Sequence, residues 1–316
     1  MSDGNPRKMQ SIPVFQSAGQ RSDGLPAVSL VASARPDGSR RYLPSMGLLL
    51  ALAFASAGSS AQSSSPPPLP LWELGGVGLA VSQQAYPGSS QRVNRALVLP
   101  YLVYRGPLFR ADRDTVGLRA YKSDTLELDV GFAASLGSNS DNIDVRRGMP
   151  DIGTLVEFGP RLKWNLGSRP DAGNLRAEFA LRGVYDLSDG FSYKGISFEP
   201  RLVYETRLRG GWRLGTSAGL VMGNSRLGDT FYGVAPQFAT ALRPAYAADS
   251  GLIAWRLGAN LSRELTPHLR LFGFARLDSV SGAANASSPL VQRSSGATVG
   301  AGLVYSWARS QTLVSD

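Results

Sequence analysis

The sequence predicts an all-β fold, a single-domain antiparallel transmembrane β-barrel, and three observations carry that reading. Apolar and polar residues alternate with a period of two in segment after segment; these segments run to about ten residues or more; and no stretch approaches the roughly 20 apolar residues of a spanning helix. In Thr125–Ala134, Leu126, Leu128, Val130 and Phe132 alternate with Glu127, Asp129, Gly131 and Ala133. Val156, Phe158, Leu162, Trp164 and Leu166 oppose Glu157, Arg161, Lys163 and Asn165, and Phe179, Leu181 and Tyr185 oppose Arg176, Glu178 and Arg182. Trp212, Leu214, Ala218 and Leu220 oppose Arg213, Ser217 and Gly219, while Ile253, Trp255, Leu257 and Leu261 oppose Arg256, Asn260 and Ser262. A soluble sandwich also alternates, but it buries its apolar face on a second sheet and uses strands of about five or six residues. The 36 Gly, 11 Tyr and 12 Phe in 316 residues suit one barrel.

From the amino terminus, residues 1–39 show no periodicity and no apolar run, and are read as a start-site extension or an extended leader. Residues 40–61 read as a secretory signal peptide: Arg40 and Arg41 precede the apolar run Met46–Ala57, and Ala55-Ser56-Ala57 or Ser59-Ser60-Ala61 offers a cleavage site. Residues 62–70 form a Ser/Pro linker, the barrel occupies 71–307, and 308–316 is a carboxyl-terminal tail. Strands are expected near 71–83, 92–105, 108–113, 116–122, 125–137, 154–167, 174–187, 195–208, 212–223, 252–264, 269–280 and 296–307. The count of twelve rests on parity, with short turns on the inner side and long loops on the outer. The turn at Asp112-Arg113-Asp114 decides it; if that segment is one bulged strand, the count falls to ten.

Glu127, Asp129, Glu157, Arg161, Lys163, Arg176, Glu178, Arg182, Glu199, Arg201 and Glu205 are expected to face the lumen, with Arg213, Arg256, Arg270 and Arg276. Both signs occur on neighbouring strands, so cross-strand ion pairs holding the barrel shut are the first reading and solute permeation the second. Five tryptophans (Trp72, Trp164, Trp212, Trp255, Trp307) and five tyrosines (Tyr101, Tyr104, Tyr185, Tyr204, Tyr305) fall near strand ends and suggest interface girdles.

Several chemistries are excluded or weakened. With no cysteine there is no disulfide, thiolate metal site or lipid-modified amino terminus. The formal charge is +9, and removing residues 1–61, with six Lys/Arg and three Asp/Glu, leaves +6, spread as single arginines rather than clustered. Nucleic acid is therefore not expected as a partner. One histidine, His268, lies in an inner turn beside Pro267, too far from any outward serine to build a lipid hydrolase. No catalytic residue, cofactor or metal is assigned. Asp141-Asn142-Ile143-Asp144 resembles a weak calcium loop only until Arg146 and Arg147 beside it are counted; those two arginines are read as outer-loop partners for lipid phosphates. Gly75-Gly76-Val77-Gly78 lacks the Lys-Ser/Thr of a phosphate loop.

Leu99-Pro100-Tyr101-Leu102-Val103-Tyr104-Arg105-Gly106, followed by Arg110-Ala111-Asp112-Arg113-Asp114, resembles the signature of the MltA-interacting protein (MipA/OmpV) family of Gram-negative outer membranes. So do Asp141 with Arg146-Arg147-Gly148-Met149-Pro150-Asp151, Glu157-Phe158-Gly159-Pro160, Tyr232-Gly233-Val234 and Leu265-Thr266-Pro267-His268. In order, these pieces span Trp72 to Trp307. The resemblance implies an outer-membrane scaffold linking a lytic transglycosylase to a bifunctional murein synthase of the penicillin-binding class, in contact with lipopolysaccharide, with a monomer favoured. Its partner-facing turns would include Arg105, Pro107, Arg209, Pro267 and His268. A porin, or an adhesin using the outer loops Ser138–Gly153 and Asn224–Gly251, is the alternative. Gly302, Tyr305 and Trp307 match the carboxyl-terminal insertion signal of such barrels, although nine residues follow it.

Overall fold

A computed structural model describes residues 69–105, 109–111, 116–169 and 173–314. The leader, the signal peptide, most of the linker, Pro107 and the Asp112-Arg113-Asp114 turn lie outside the described residues. The strands are β1 (Leu69–Pro70), β2 (Trp72–Gln84), β3 (Arg92–Arg105), β4 (Phe109–Ala111), β5 (Val116–Lys122), β6 (Leu126–Ser135), β7 (Leu155–Arg169), β8 (Gly173–Asp186), β9 (Ser192–Arg207) and β10 (Trp212–Gly223). A single α-helix among the described residues, α1 (Ser225–Tyr232), precedes β11 (Gly251–Glu264), β12 (Leu269–Ser279), β13 (Ser295–Arg309) and β14 (Leu313–Val314). From β2 to β13 each strand pairs antiparallel with its sequence neighbours, and β13 pairs with β2, so the ladder returns on itself as a closed barrel. β1 pairs with β14 outside this ring, Leu69 opposite Val314.

The period of two sets the two faces. On β13, Leu303, Tyr305 and Trp307 are 46%, 53% and 54% exposed while Val304 and Ser306 between them are buried. Val98, Leu102, Leu162, Trp164, Leu181, Leu202, Trp255, Leu257 and Leu277 likewise face outward. A large apolar side chain gains about 1.5–3 kcal/mol on leaving water. A continuous belt of them is therefore not a water-facing surface.

At one end the strands join through short turns, Arg209–Gly211 and Leu265–His268 among them. At the other end long connections fold into a cap. Ile143, Met149 and Ile152 from the β6–β7 connection, Leu227, Tyr232 and Val234 from the β10–β11 connection and Leu290 from the β12–β13 connection form one buried cluster with Tyr86 and Ile253. α1 starts at Asn224, whose side chain accepts from the Leu227 and Ile196 N–H groups at 3.2 and 3.0 Å. The Arg243 guanidinium donates to the carbonyls of Phe238, Val145 and Arg147, and buried Asn285 holds Asp249 through both its amide atoms. The hydrophobics of the three connections follow no strand period, and Ile253, expected on the same face as Trp255, is instead buried against them.

The wall is not uniform. β4 and β5 are short, and β3 meets β4 only at Tyr104 and Arg105. Among the described residues, β3 from Arg92 to Val103 is paired only with β2, and β6 from Val130 to Ser135 only with β7.

At the turn end, β1 and β14 form a clasp. The Ser310 N–H reaches the Trp72 carbonyl and the Leu71 N–H the Thr312 carbonyl, both at 2.8 Å. The expected free tail is thus partly strand: β13 continues to Arg309, two residues past Trp307, before β14.

Glycine matters most at Gly219 of β10, in register with Arg201 of β9 and Arg256 of β11. A Cβ there would stand 2.6 Å from the Arg201 Cβ and from the Pro200 carbonyl oxygen, whereas at Gly78 it would meet nothing within 4 Å. Gly219→Val should cost about 1–3 kcal/mol through overpacking, read as a lower urea midpoint for loss of the compact band on unheated gels. Gly78→Ala should leave that midpoint unchanged.

Candidate functional site

The charges inside the barrel lie on one continuous row of the ladder. Glu127 pairs with Lys163, Lys163 with Glu178, Glu178 with Arg201, Arg201 with Gly219, Gly219 with Arg256 and Arg256 with Asp278. Signs alternate along the row except across Gly219, where two arginines flank a residue without a side chain. Glu199 resolves that position: it reaches Arg182 on β8 at 2.9 Å and, past β10, Arg256 on β11 at 3.3 Å.

The remaining contacts knit the row to its neighbours. Glu178, 1% exposed, lies between Arg176 at 2.6 Å and Arg201 at 2.5 Å. Arg176 grips Glu205 through two nitrogens at 2.7 and 2.9 Å, the fork geometry in which guanidinium bonds best. Asp129 accepts from Arg161 and Lys163 at 2.7 and 2.8 Å, and Glu157 accepts from Ser197 at 2.7 Å. Asp278 meets both Arg256 and Arg276, at 2.7 and 2.9 Å.

Asp278 was not singled out from the sequence, although its place two residues beyond Arg276, on the same face of a strand, was the available signal. Arg213 stands apart, paired with Glu264 near the turn end.

The opposite wall is apolar. Val77, Leu79, Leu99, Tyr101, Val103 and Val304 are buried together, with Phe272 and Phe274 against them. Tyr101, placed in a girdle by the sequence, points inward instead, its hydroxyl bonded to Ser306. Trp72, Trp164, Trp255, Trp307, Tyr204 and Tyr305 do face outward. Gly302 of the expected insertion signal lies inside, where a Cβ would strike the Phe272 ring and the Gly78 carbonyl. Between charged and apolar walls lies a cavity of about 350 Å³.

The other expected site residues separate clearly. Arg105 is not a partner-facing turn residue: it is 6% exposed and bonds Glu73 and the Pro70 carbonyl, both at 2.7 Å. Arg209, Pro267 and His268 are exposed at the turn end. The Nδ1–H of His268 donates to the Ser306 carbonyl at 2.9 Å, leaving Nε2 to accept from Arg309 at 3.0 Å. Both nitrogens are thereby committed to the chain.

Arg146 is not available to lipid phosphate. It is 4% exposed inside the cap, donates to the Pro150 carbonyl at 3.0 Å and lies 5.7 Å from the Tyr86 ring centroid. Burial lowers the pKa of that guanidinium and raises the Tyr86 phenol to about 12. Arg147 is exposed and pairs with Asp144 at 3.0 Å. Among the described residues no group of three or more His, Cys, Asp or Glu is placed to hold a metal.

Breaking a buried pair by removing one partner leaves an uncompensated charge and costs about 3–5 kcal/mol, whereas replacing both partners by apolar residues is often neutral. Glu178→Ala should therefore lower the barrel's unfolding free energy by that amount in urea titration, and Glu178→Leu combined with Arg201→Met, which leaves Arg176 on Glu205 and Glu199 on Arg182 and Arg256, should recover most of it.

The family model described as MltA-interacting protein MipA matches residues 75–307. None of the curated proteins matches the chain. Among solved structures, a Salmonella typhi OmpF in complex with daunomycin aligns at 11% identity and a TM-score of 0.35, covering 79% of this chain and all of that one. A FadL homologue of Pseudomonas aeruginosa aligns at 10% identity and a TM-score of 0.29, covering 83% of this chain and 98% of that one. The family match takes in every strand from β3 to β12 and most of β2 and β13, including the whole charged row, and the chain belongs to the MltA-interacting protein MipA family.

Proposed function

We propose that this protein is an exported, monomeric twelve-stranded barrel of the Gram-negative outer membrane that works by docking proteins at its turn end, not by conducting solutes or by catalysis. The observation that supports this best is the paired charge row, which ties one wall of the lumen together under an apolar cap that lies over the loop end. Water entering such a network would have to separate ion pairs that sit 2.5–2.9 Å apart along its length. The outward apolar belt supports the membrane, and with the long connections on the outside the short turns face the periplasm. Lipopolysaccharide would then surround the cap end.

The family description names an interaction with MltA. On that basis the partners are a lytic transglycosylase and, as the family resemblance implies, a bifunctional murein synthase. Arg209, Pro267 and His268 stand exposed for such a contact. A stable interface takes about 800 Å² from each partner, more than one short turn offers, so the β1–β14 clasp and several turns would share it.

Two measurements on the purified mature barrel test the reading. In planar bilayers it should give no steady conductance. In sedimentation against a purified lytic transglycosylase it should form a complex, weakened about tenfold by Arg209→Glu combined with Pro267→Glu, the scale of about 1.4 kcal/mol expected for loss of a peripheral contact. Steady conductance without complex formation would make it a channel.

A further inference from the structure

We infer that the turn end of the barrel binds an anionic polymer with spaced carboxylates, the peptide-bearing strands of murein, on an arc of arginines at the ends of β9 to β13. The inference goes beyond protein docking and rests on that reading only for the turn end facing the periplasm.

The arc is made by folding. In the sequence the surplus of arginine is scattered, and after residue 61 it amounts to +6. Residues 206–213, 263–270 and 307–312 close β9 to β13 on the turn side; they carry six arginines, Arg207, Arg209, Arg213, Arg263, Arg270 and Arg309, and one carboxylate, Glu264. That places +5 of the +6 on one part of the rim. Glu205, two residues before Arg207, and Glu73, in register with Arg309, are held by Arg176 and Arg105.

The arc holds like charges together. Arg207 stands opposite Arg213 in the β9–β10 ladder, and like charges directly opposite destabilise a sheet. Arg213 meets Glu264 at 2.9 Å, and Arg270 lies opposite that same carboxylate. Among the described residues Arg209, exposed in the turn between β9 and β10, has no ion-pair or hydrogen-bond partner, and Arg263 has only the Trp212 ring, its centroid 5.7 Å from the guanidinium. Arg309 donates to Nε2 of His268. A positive rim raises the local concentration of anions, and each guanidinium offers a carboxylate a fork of donors.

Face and spacing select the partner. Arg207, Arg213, Glu264 and Arg270 take the lumen-side face of the register, whereas Trp212 and Arg263 take the outward face. Lipid headgroups around the barrel meet Arg263, and Arg207, Arg213 and Arg270 are turned from them. The exposed leucines of these turns, Leu208 and Leu265, alternate to the outward face as well, so the inner side of the rim offers guanidinium without the apolar anchor that centres a protein interface. Neighbouring strands lie about 4.8 Å apart, so five strand ends spread the charges over roughly 20 Å. That is wider than one headgroup and suits a chain with carboxylates at intervals.

The test is sedimentation of the purified mature barrel, in detergent, with isolated murein sacculi and with sacculi whose carboxylates have been amidated. Neither membrane orientation nor a transglycosylase enters this readout, so its failure leaves protein docking standing. The barrel should sediment with native sacculi, and about tenfold more weakly with amidated ones or in high salt. Arg207→Gln combined with Arg209→Gln and Arg309→Gln should weaken sedimentation about tenfold, among barrels that still migrate as the compact band. Arg147→Gln combined with Arg226→Gln and Arg293→Gln, which removes the same charge from exposed positions in the cap connections, should leave it unchanged. No binding, equal binding to amidated sacculi, or equal loss in the two triple variants would overturn the proposal. Loss of phosphatidylglycerol binding or of the transglycosylase complex in the first variant, with sacculus binding intact, would also overturn it and assign the arc to a lipid headgroup or to the docked protein.

Discussion

Everything inside this barrel depends on a row of opposite charges held in strict cross-strand register. A carboxylate such as Glu178 has no apolar refuge and little water, so its ionised form exists there only because Arg176 and Arg201 arrive from its own strand and the next. That requirement propagates: the register that brings Glu178 opposite Arg201 also brings Arg201 opposite Gly219 and Arg256 opposite Asp278. A slip of one residue on any strand would turn its whole set of charges toward the outside and its leucines inward. The row therefore contributes to specifying the fold even where each pair, after desolvation, contributes little net stability.

Gly219 shows how position and composition cooperate. Two arginines flank it, a repulsive arrangement by itself, and the missing side chain lets Glu199 on one neighbouring strand reach Arg256 on the other. The glycine is thus part of the electrostatics. The opposite wall solves a different problem: Phe272 and Phe274 lay their rings over Gly302 and Gly300, filling volume that no side chain on β13 supplies.

The period of two made the strands legible. The ranges 92–105, 116–122 and 212–223 read from the pattern coincide with β3, β5 and β10, and the inward set beginning at Glu127 lies where alternation places it. Legibility failed where burial does not alternate. In the cap, Ile143, Met149, Leu227, Tyr232 and Leu290 meet from three connections far apart in sequence, and no local period marks such a meeting. Arg146 was misjudged for the same reason: a charged residue in a connection reads as solvated until the Tyr86 ring and the Pro150 carbonyl come round it. Arg105 was misjudged because its partner Glu73 lies on another strand, and Tyr101 because nearness to a strand end does not tell which face a residue takes.

The clasp of β1 and β14 bears on how the ring finds its closure. Each consecutive strand pair in the barrel is joined by a connection that helps to fix its alignment, but β2 and β13 come from opposite ends of the chain and share none. Their ladder also shifts register between Ser306 and Ala308. The residues beyond Trp307, together with those before Trp72, continue the same pairing past the wall, with Arg105 bound to Pro70 and Glu73 beside it. The extra length at the carboxyl end acts in effect as a vernier: it adds contacts that only one alignment of the final strand satisfies, so the last step of ring closure is fixed by residues that lie outside the ring.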